Sequence, residues 1–176
     1  YIWGLGKVRE TPLPVLEPHR YLSLLDLVVA AGNSIKRLRL PHNLPKLCGL
    51  EIEPLLDEAL RSSRISNWAA DVLLWVALVH NWANAGLSFS RIIYVYENQP
   101  WERALCWATR RYMPDTVLVG YQHARAPRFL LNFYLANGGE IAAPLPDRVV
   151  TVGQHTAGLL TTDGYEPVQV RVGGAL

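Results

Sequence analysis

The second half of this chain alternates short apolar runs with segments of helical periodicity. The runs "RIIYVY" (Arg91–Tyr96), "TVLVGYQ" (Thr116–Gln122), "RVVTVG" (Arg148–Gly153) and "VQVRVG" (Val168–Gly173) each predict a strand. Between the first two lies "PWERALCWATRRYM" (Pro100–Met113), with proline first, an acid in the first turn and arginines near the end. That order suits a helix dipole. "APRFLLNFYLANGG" (Ala126–Gly139), stopped by Asn137-Gly138-Gly139, and the shorter "QHTAGLLTTDG" (Gln154–Gly164) read as two further helices. Strands separated by helices imply βαβ units, and hence an α/β fold with a parallel sheet.

The first half carries weaker patterns. "EIEPLLDEALRSS" predicts a helix, with Pro54 and acids at its start and Leu55, Leu56, Ala59 and Leu60 as its apolar face. "NWAADVLLWVALVHNWANAG" (Asn67–Gly86) is apolar on nearly all sides and reads as a helix buried between other elements. Asp71, His80 and three asparagines make it a poor membrane span. "YLSLLDLVVAAG" (Tyr21–Gly32) fits a helix or a strand, and the proline-rich "TPLPVLEPHR" fits a loop. The division expected is a loosely patterned segment 1–66, followed by an α/β domain over 67–176.

Composition narrows this reading only slightly. With 176 residues, half of them hydrophobic, the chain can bury one sizeable core. A net charge of +2 gives no argument for nucleic acid or a membrane surface. Lys36, Arg37 and Arg39 read first as a solvated strand face and second as a phosphate contact. Cys48 and Cys106 match no paired metal-ligand spacing, which points to a reduced, intracellular chain. A start at Tyr1, a lone methionine at Met113 and an ending just after an apolar run lead us to expect a piece of something longer.

Candidate chemistry collects where the strands end. In open parallel sheets, ligands bind beyond the carboxyl ends of the strands, at the switch point in strand order. There the chain sets Glu97-Asn98-Gln99, Tyr121-Gln122-His123, Gly153-Gln154-His155 and Gly173-Gly174. Glu97 reads equally as a solvated strand end or a functional carboxylate, and His123 equally as a site residue or a partner for a backbone carbonyl. His155 fits a first-turn helix residue, and His80 a satisfied core group. The histidines have no zinc spacing, so no metal is assigned. The chain lacks GxxxxGK[ST] and GxSxG, and "GLGKVR" lacks the third glycine of a dinucleotide fingerprint.

"YENQPWERAL…RRYMPDTVLVGYQHA", followed by "PLPDRVVTVGQHTAGLLTTDGYEPVQVRVGGAL", resembles bacterial surface-carbohydrate biosynthesis proteins similar to GT-B glycosyltransferases, which are built from two facing Rossmann-like domains. The resemblance covers Arg91 to Leu176. It implies a Rossmann-like sheet forming mostly one half of a GT-B architecture. It also implies a nucleotide-sugar donor without a resident cofactor, a carbohydrate or lipid-linked acceptor, and no nucleic acid. The expected location is the cytoplasm, with peripheral membrane association through the acceptor. Sugar transfer needs a base for the acceptor hydroxyl, with Glu97 the first choice and His123 the second. Asn98, Gln99 and Gln122 would orient hydroxyls, Trp101 would face a sugar ring, and Gly173 and Gly174 would lie against substrate. Arg125 and Arg128 read first as a solvated loop and second as anion contacts. A nucleotide-sugar epimerase and a non-catalytic glycan- or partner-binding module stay open as alternatives.

Overall fold

The computed structural model describes residues 17–34, 49–65, 68–123, 131–133, 135 and 144–174. Strands form at Arg91–Val95 (β1), Val117–Gln122 (β2), Arg148–Thr151 (β3) and Val170–Val172 (β4). All four pair in parallel in the order β1-β2-β3-β4. Five α-helices flank them among the described residues: Leu24–Ser34 (α1), Glu53–Ile65 (α2), Trp68–Asn84 (α3), Pro100–Tyr112 (α4) and Gln154–Thr162 (α5). The fold is therefore α/β with an all-parallel sheet, consistent with a Rossmann-like arrangement.

The strand order decides where the helices go. Right-handed crossovers that always step the same way across a sheet place every connection on one face. Residues paired laterally in the register share a face. Tyr94, Leu118, Gly120 and Val149 thus point one way, and Arg91, Ile93, Val119 and Arg148 the other. Both hydrophobic clusters lie on the first face. Leu160 of α5 packs with Tyr96, Phe133, Leu135, Val149, Tyr165 and Val170. Leu78, Val79 and Trp82 of α3 meet Leu105 and Ala108 of α4, with Ile92 and Tyr94 of β1 against them. Each large side chain buried there contributes roughly 1.5–3 kcal/mol. On the opposite face Ile93 is 65% exposed and Val95 47%.

Gly120 permits one close approach in this core. A Cβ at that position would lie 2.9 Å from the Tyr96 side chain, so only glycine lets Tyr96 lie across β2. The Tyr96 hydroxyl reaches Tyr165 at 2.7 Å, tying the end of β1 to the segment between α5 and β4. Burial raises the Tyr96 hydroxyl well above its ordinary pKa, so it stays protonated as part of the core.

The helices ahead of β1 pack onto the same body. Ser23 and Asp26 cap α1 reciprocally: the Asp26 N–H donates to Ser23 Oγ at 3.1 Å and the Ser23 N–H to Asp26 Oδ2 at 2.8 Å. The Asn81 amide of α3 donates to Tyr21 O at 2.6 Å and to Asp26 Oδ2 at 3.1 Å. Of the stretch Tyr21–Gly32, the part from Leu24 onward is therefore helix rather than strand.

The structure corrects several expectations. Since the strand order never reverses, the described sheet has no switch point, and its carboxyl edge is one continuous rim. Of the expected apolar face of α2, Leu56 and Leu60 are half-buried, but Leu55 is 71% exposed and Ala59 is also exposed. His80 is exposed rather than a core group, its ring edge-on to Tyr112 at 4.8 Å. Most of Ala126–Gly139 lies outside the described residues, which here form only a 3-10 turn at Leu131–Phe133. Lys36, Arg37 and Arg39 also lie outside them.

Candidate functional site

The rim is built from four strand ends, and its turns differ in how far they satisfy themselves. After β1, Tyr96 still pairs with β2 through its N–H to Tyr121 O at 2.9 Å. The chain then bends sharply, with Asn98 in the left-handed region at φ 55°. Pro100 opens α4, with Gln99 in extended backbone as its N-cap and making no side-chain cap bond. Glu102, at the third helical position, supplies the cap instead. Its carboxylate accepts the Glu97 N–H at 3.0 and 3.2 Å and the Asn98 N–H at 2.9 Å.

Glu102 is only 1% exposed. Burial pushes its carboxyl up to about 7; the N–H groups of Glu97, Gln99 and Asn98 pull the other way, and the Glu97 charge adds to the rise. Asn98, itself buried, is held from both ends. Its Oδ1 accepts from Arg103 Nε at 3.1 Å, and its Nδ2 donates to the Asn132 carbonyl. Asn132 Nδ2 returns a bond to the Glu97 carbonyl. Asn98 is therefore buried, with its Oδ1 and one amide N–H engaged in holding its turn rather than facing the rim.

The other expected residues fall in two settings. Glu97 and His123 are exposed, each two residues beyond the paired Val95 and Tyr121 of adjacent strands. Both therefore follow the carboxyl ends of two adjacent parallel strands. Gln122 is buried on the helix-bearing face. Trp101 stacks on Trp75 with centroids 4.9 Å apart, so one face of its ring is already covered. Gly173 follows β4 where a Cβ would come 2.4 Å from Val150 Cγ1, and the Gly174 carbonyl accepts the Tyr121 hydroxyl at 3.0 Å. Gly173 thus answers to close packing, whereas Gly174 has open space around it and answers to its left-handed backbone at φ 84°. Arg125 lies outside the described residues, as does Arg128.

The turn after β3 is different. Gly153 caps α5 in extended backbone with no side-chain cap bond, and a Cβ there would meet nothing within 4 Å. The first N–H groups of α5 therefore face the rim without a carboxylate of their own helix, beside the exposed Gln154 and His155.

Sequence reasoning missed two features. A shallow cavity of about 260 Å³ opens between Asp71 and Val72 of α3 and Gln99, Pro100 and Trp101 at the start of α4. No local pattern joins Asp71 to Trp101, because α3 and α4 meet only through tertiary packing. The anchoring role of Glu102 had a signal, since a glutamate three residues after the N-cap is the capping-box position. Cys106 is buried beside the Tyr94 hydroxyl at 3.2 Å, and burial pushes its thiol up to about 11. It stays protonated and offers no nucleophile.

Among the described residues, no three His, Cys, Asp or Glu side chains are grouped to hold a metal ion. No described helix is long and apolar enough to cross a membrane. No protein family, curated protein or solved structure matches this chain at a significant level.

Proposed function

We propose that this chain is a glycosyltransferase, or its acceptor-side domain, that moves a sugar from a nucleotide-sugar to a bacterial surface polysaccharide or glycolipid. The observation that supports the reading is that two exposed groups capable of taking a proton, Glu97 and His123, follow the carboxyl ends of two adjacent parallel strands. An acceptor hydroxyl bound there would give its proton to Glu97 as its oxygen bonds to the sugar's anomeric carbon. The bond from that carbon to the donor phosphate breaks in the same event. A positioned base supplies about 10²–10⁴-fold to such a step. The N-terminus of α5, with its N–H groups turned to the rim, suits the negative charge that develops on the leaving phosphate. The donor is a substrate, and the reaction as written needs no resident cofactor. His123 is the second candidate for the base, and the exposed face of Trp101 serves the acceptor's sugar ring.

A second reading, a non-catalytic glycan- or partner-binding module, is favoured by the commitment of Asn98 and Glu102 to holding their own turn. One experiment separates the two. Turnover of the complete natural protein is measured against a panel of nucleotide-sugars, alongside Glu97→Gln and His123→Ala. A transferase with this site loses about 10²-fold or more in kcat in at least one variant. Full turnover in both, with the true donor, overturns the site. Binding without turnover for every donor favours the module.

A further inference from the structure

The cavity between α3 and α4 lies at the same end of the molecule as the strand rim. The chain leaves α3 just before β1 begins, with the Leu87 N–H bonded back to Trp82 O at 3.0 Å. The end of α3 is thus at the amino edge of the sheet. Trp75, in the first half of α3, stacks on Trp101 in the first turn of α4. This contact fixes the direction of α3: it runs from the rim towards the amino edge, parallel to α4. Two helix starts therefore meet over a hollow of about 260 Å³, which Asp71, Val72, Gln99, Pro100 and Trp101 line.

Three of these side chains have something to give a ligand. Trp101 is held in place, with Trp75 over one face at 4.9 Å and Tyr94 edge-on at 6.0 Å, so it forms a fixed apolar border. Gln99 is the N-cap of α4 yet makes no side-chain cap bond, which leaves its amide for other work. Asp71 is exposed in the first turn of α3, and among the described residues its carboxylate has no ion-pair or hydrogen-bond partner. A favourable interaction with the helix end accounts for an acid at this position. It does not account for the hollow beside that acid, or for the idle amide in the other wall.

Charge and size select the ligand. Two positive helix ends oppose a cation and Asp71 opposes an anion, so the hollow suits an uncharged molecule. A carboxylate and an amide bond hydroxyl groups, and an indole border suits a row of C–H groups. A pyranose ring combines the two, with an apolar face of C–H bonds and hydroxyls around its edge. The volume is below the roughly 300 Å³ at which sites for drug-sized ligands begin, enough for one sugar ring and too small to enclose a whole nucleotide-sugar.

We infer that this hollow is a subsite for one neutral pyranose, its C–H face against Trp101 and its hydroxyls on the Asp71 carboxylate and the Gln99 amide. Asp71 is its specificity-determining residue, because a fixed carboxylate accepts only from hydroxyls that point towards it. That the ring belongs to the acceptor rests on the transferase reading; that a ring binds does not.

Saturation-transfer NMR and calorimetry on the complete natural protein test this, with the methyl glycosides of glucose, galactose, mannose and N-acetylglucosamine as probes and no donor present. At least one glycoside should bind at millimolar concentration. Its dissociation constant should rise about tenfold in Asp71→Ala, which removes a charged acceptor, and about fivefold in Gln99→Ala. Neither side chain holds the fold together, and thermal melting confirms that both variants fold. No binding of any glycoside overturns the inference, as does binding indifferent to both substitutions, because the sugar then sits elsewhere. Competition by tetramethylammonium or by inorganic phosphate also overturns it, since the hollow then selects charge. Failure here is separable from failure of the transferase reading, because turnover is not measured. Glycoside binding through Asp71 in a protein that transfers no sugar supports the subsite alone. Sugar transfer by a protein whose glycoside binding ignores Asp71 and Gln99 overturns the subsite alone.

Discussion

Two turns at the same rim, each leading from a parallel strand into a helix, solve the helix-start problem in opposite ways. The turn after β1 fills itself: Glu102 takes the backbone N–H groups of Glu97 and Asn98, and Asn98 is bonded from both ends to Arg103 and Asn132. The turn after β3 leaves its N–H groups uncapped behind Gly153. The contrast assigns different tasks to similar positions. The first turn is held by a buried carboxylate of its own helix, and the second leaves its first N–H groups open at the rim. A polar cluster at a strand end is thus no measure of how much of it is available to a ligand.

The largest effect should come from emptying the full turn. Glu102→Ala leaves at least two buried N–H groups without an acceptor and should cost about 3 kcal/mol near pH 5, read by urea unfolding. The same carboxyl predicts a pH trend in the unaltered chain. A glutamate whose folded pKa is raised from 4.5 to about 7 binds its proton more tightly when folded. The stability linked to it is therefore fully present below about pH 4.5 and is lost as pH rises through about 7. The loss should approach about 3 kcal/mol by about pH 8, as a falling thermal midpoint. Glu102→Ala should remove this slope, so the gap between the two proteins narrows with rising pH.

A smaller effect separates the backbone of Asn98 from its side chain. Asn98→Ala loses the bonds to Arg103 and Asn132 and also places alanine at φ 55°, for a combined cost of about 2–3 kcal/mol. Asn98→Gly keeps the left-handed backbone free of strain and should cost about 1 kcal/mol less. Denaturant midpoints at fixed pH distinguish the two; equal costs would mean that the turn's shape is not set by position 98. The smallest effect has the opposite sign. Gly153→Asp puts an acceptor at the uncapped start of α5, where a Cβ meets nothing, and should raise stability by about 0.5 kcal/mol. In the proposed transferase it should also weaken donor binding, because its carboxylate occupies the place meant for phosphate.

Much of this architecture could be read along the chain. Four apolar runs, Pro100 before a helix and the pattern of Gln154–Gly164 mark strands and helices that the structure reproduces to within a few residues, whereas most of the helix expected at Ala126–Gly139 lies outside the described residues. Such signals are local, because side-chain period and capping chemistry act over one or two turns. The location of Glu97 and His123 at a common rim was also legible, since parallel strands share one carboxyl edge. Their partners were not. That Trp101 is half-covered by Trp75, that Asn98 is spoken for by Asn132, and that Asp71 borders a cavity with Trp101 all depend on segments far apart in the chain. His80 and Leu55 show the same limit from the other side: an apolar stripe states what a helix can bury, while its neighbours decide what it does bury.

By itself, then, the sequence determined the elements, their parallel pairing and the edge at which polar groups gather, because each follows from short-range sterics and hydrogen bonding. The tertiary structure alone decided that the strands run in simple order and that, among the described residues, α3, α4 and α5 pack on one side of the sheet. Lateral order depends on which strands meet across long connections, and no local pattern encodes that choice. The same packing set one rim turn around a buried carboxylate and left the other open.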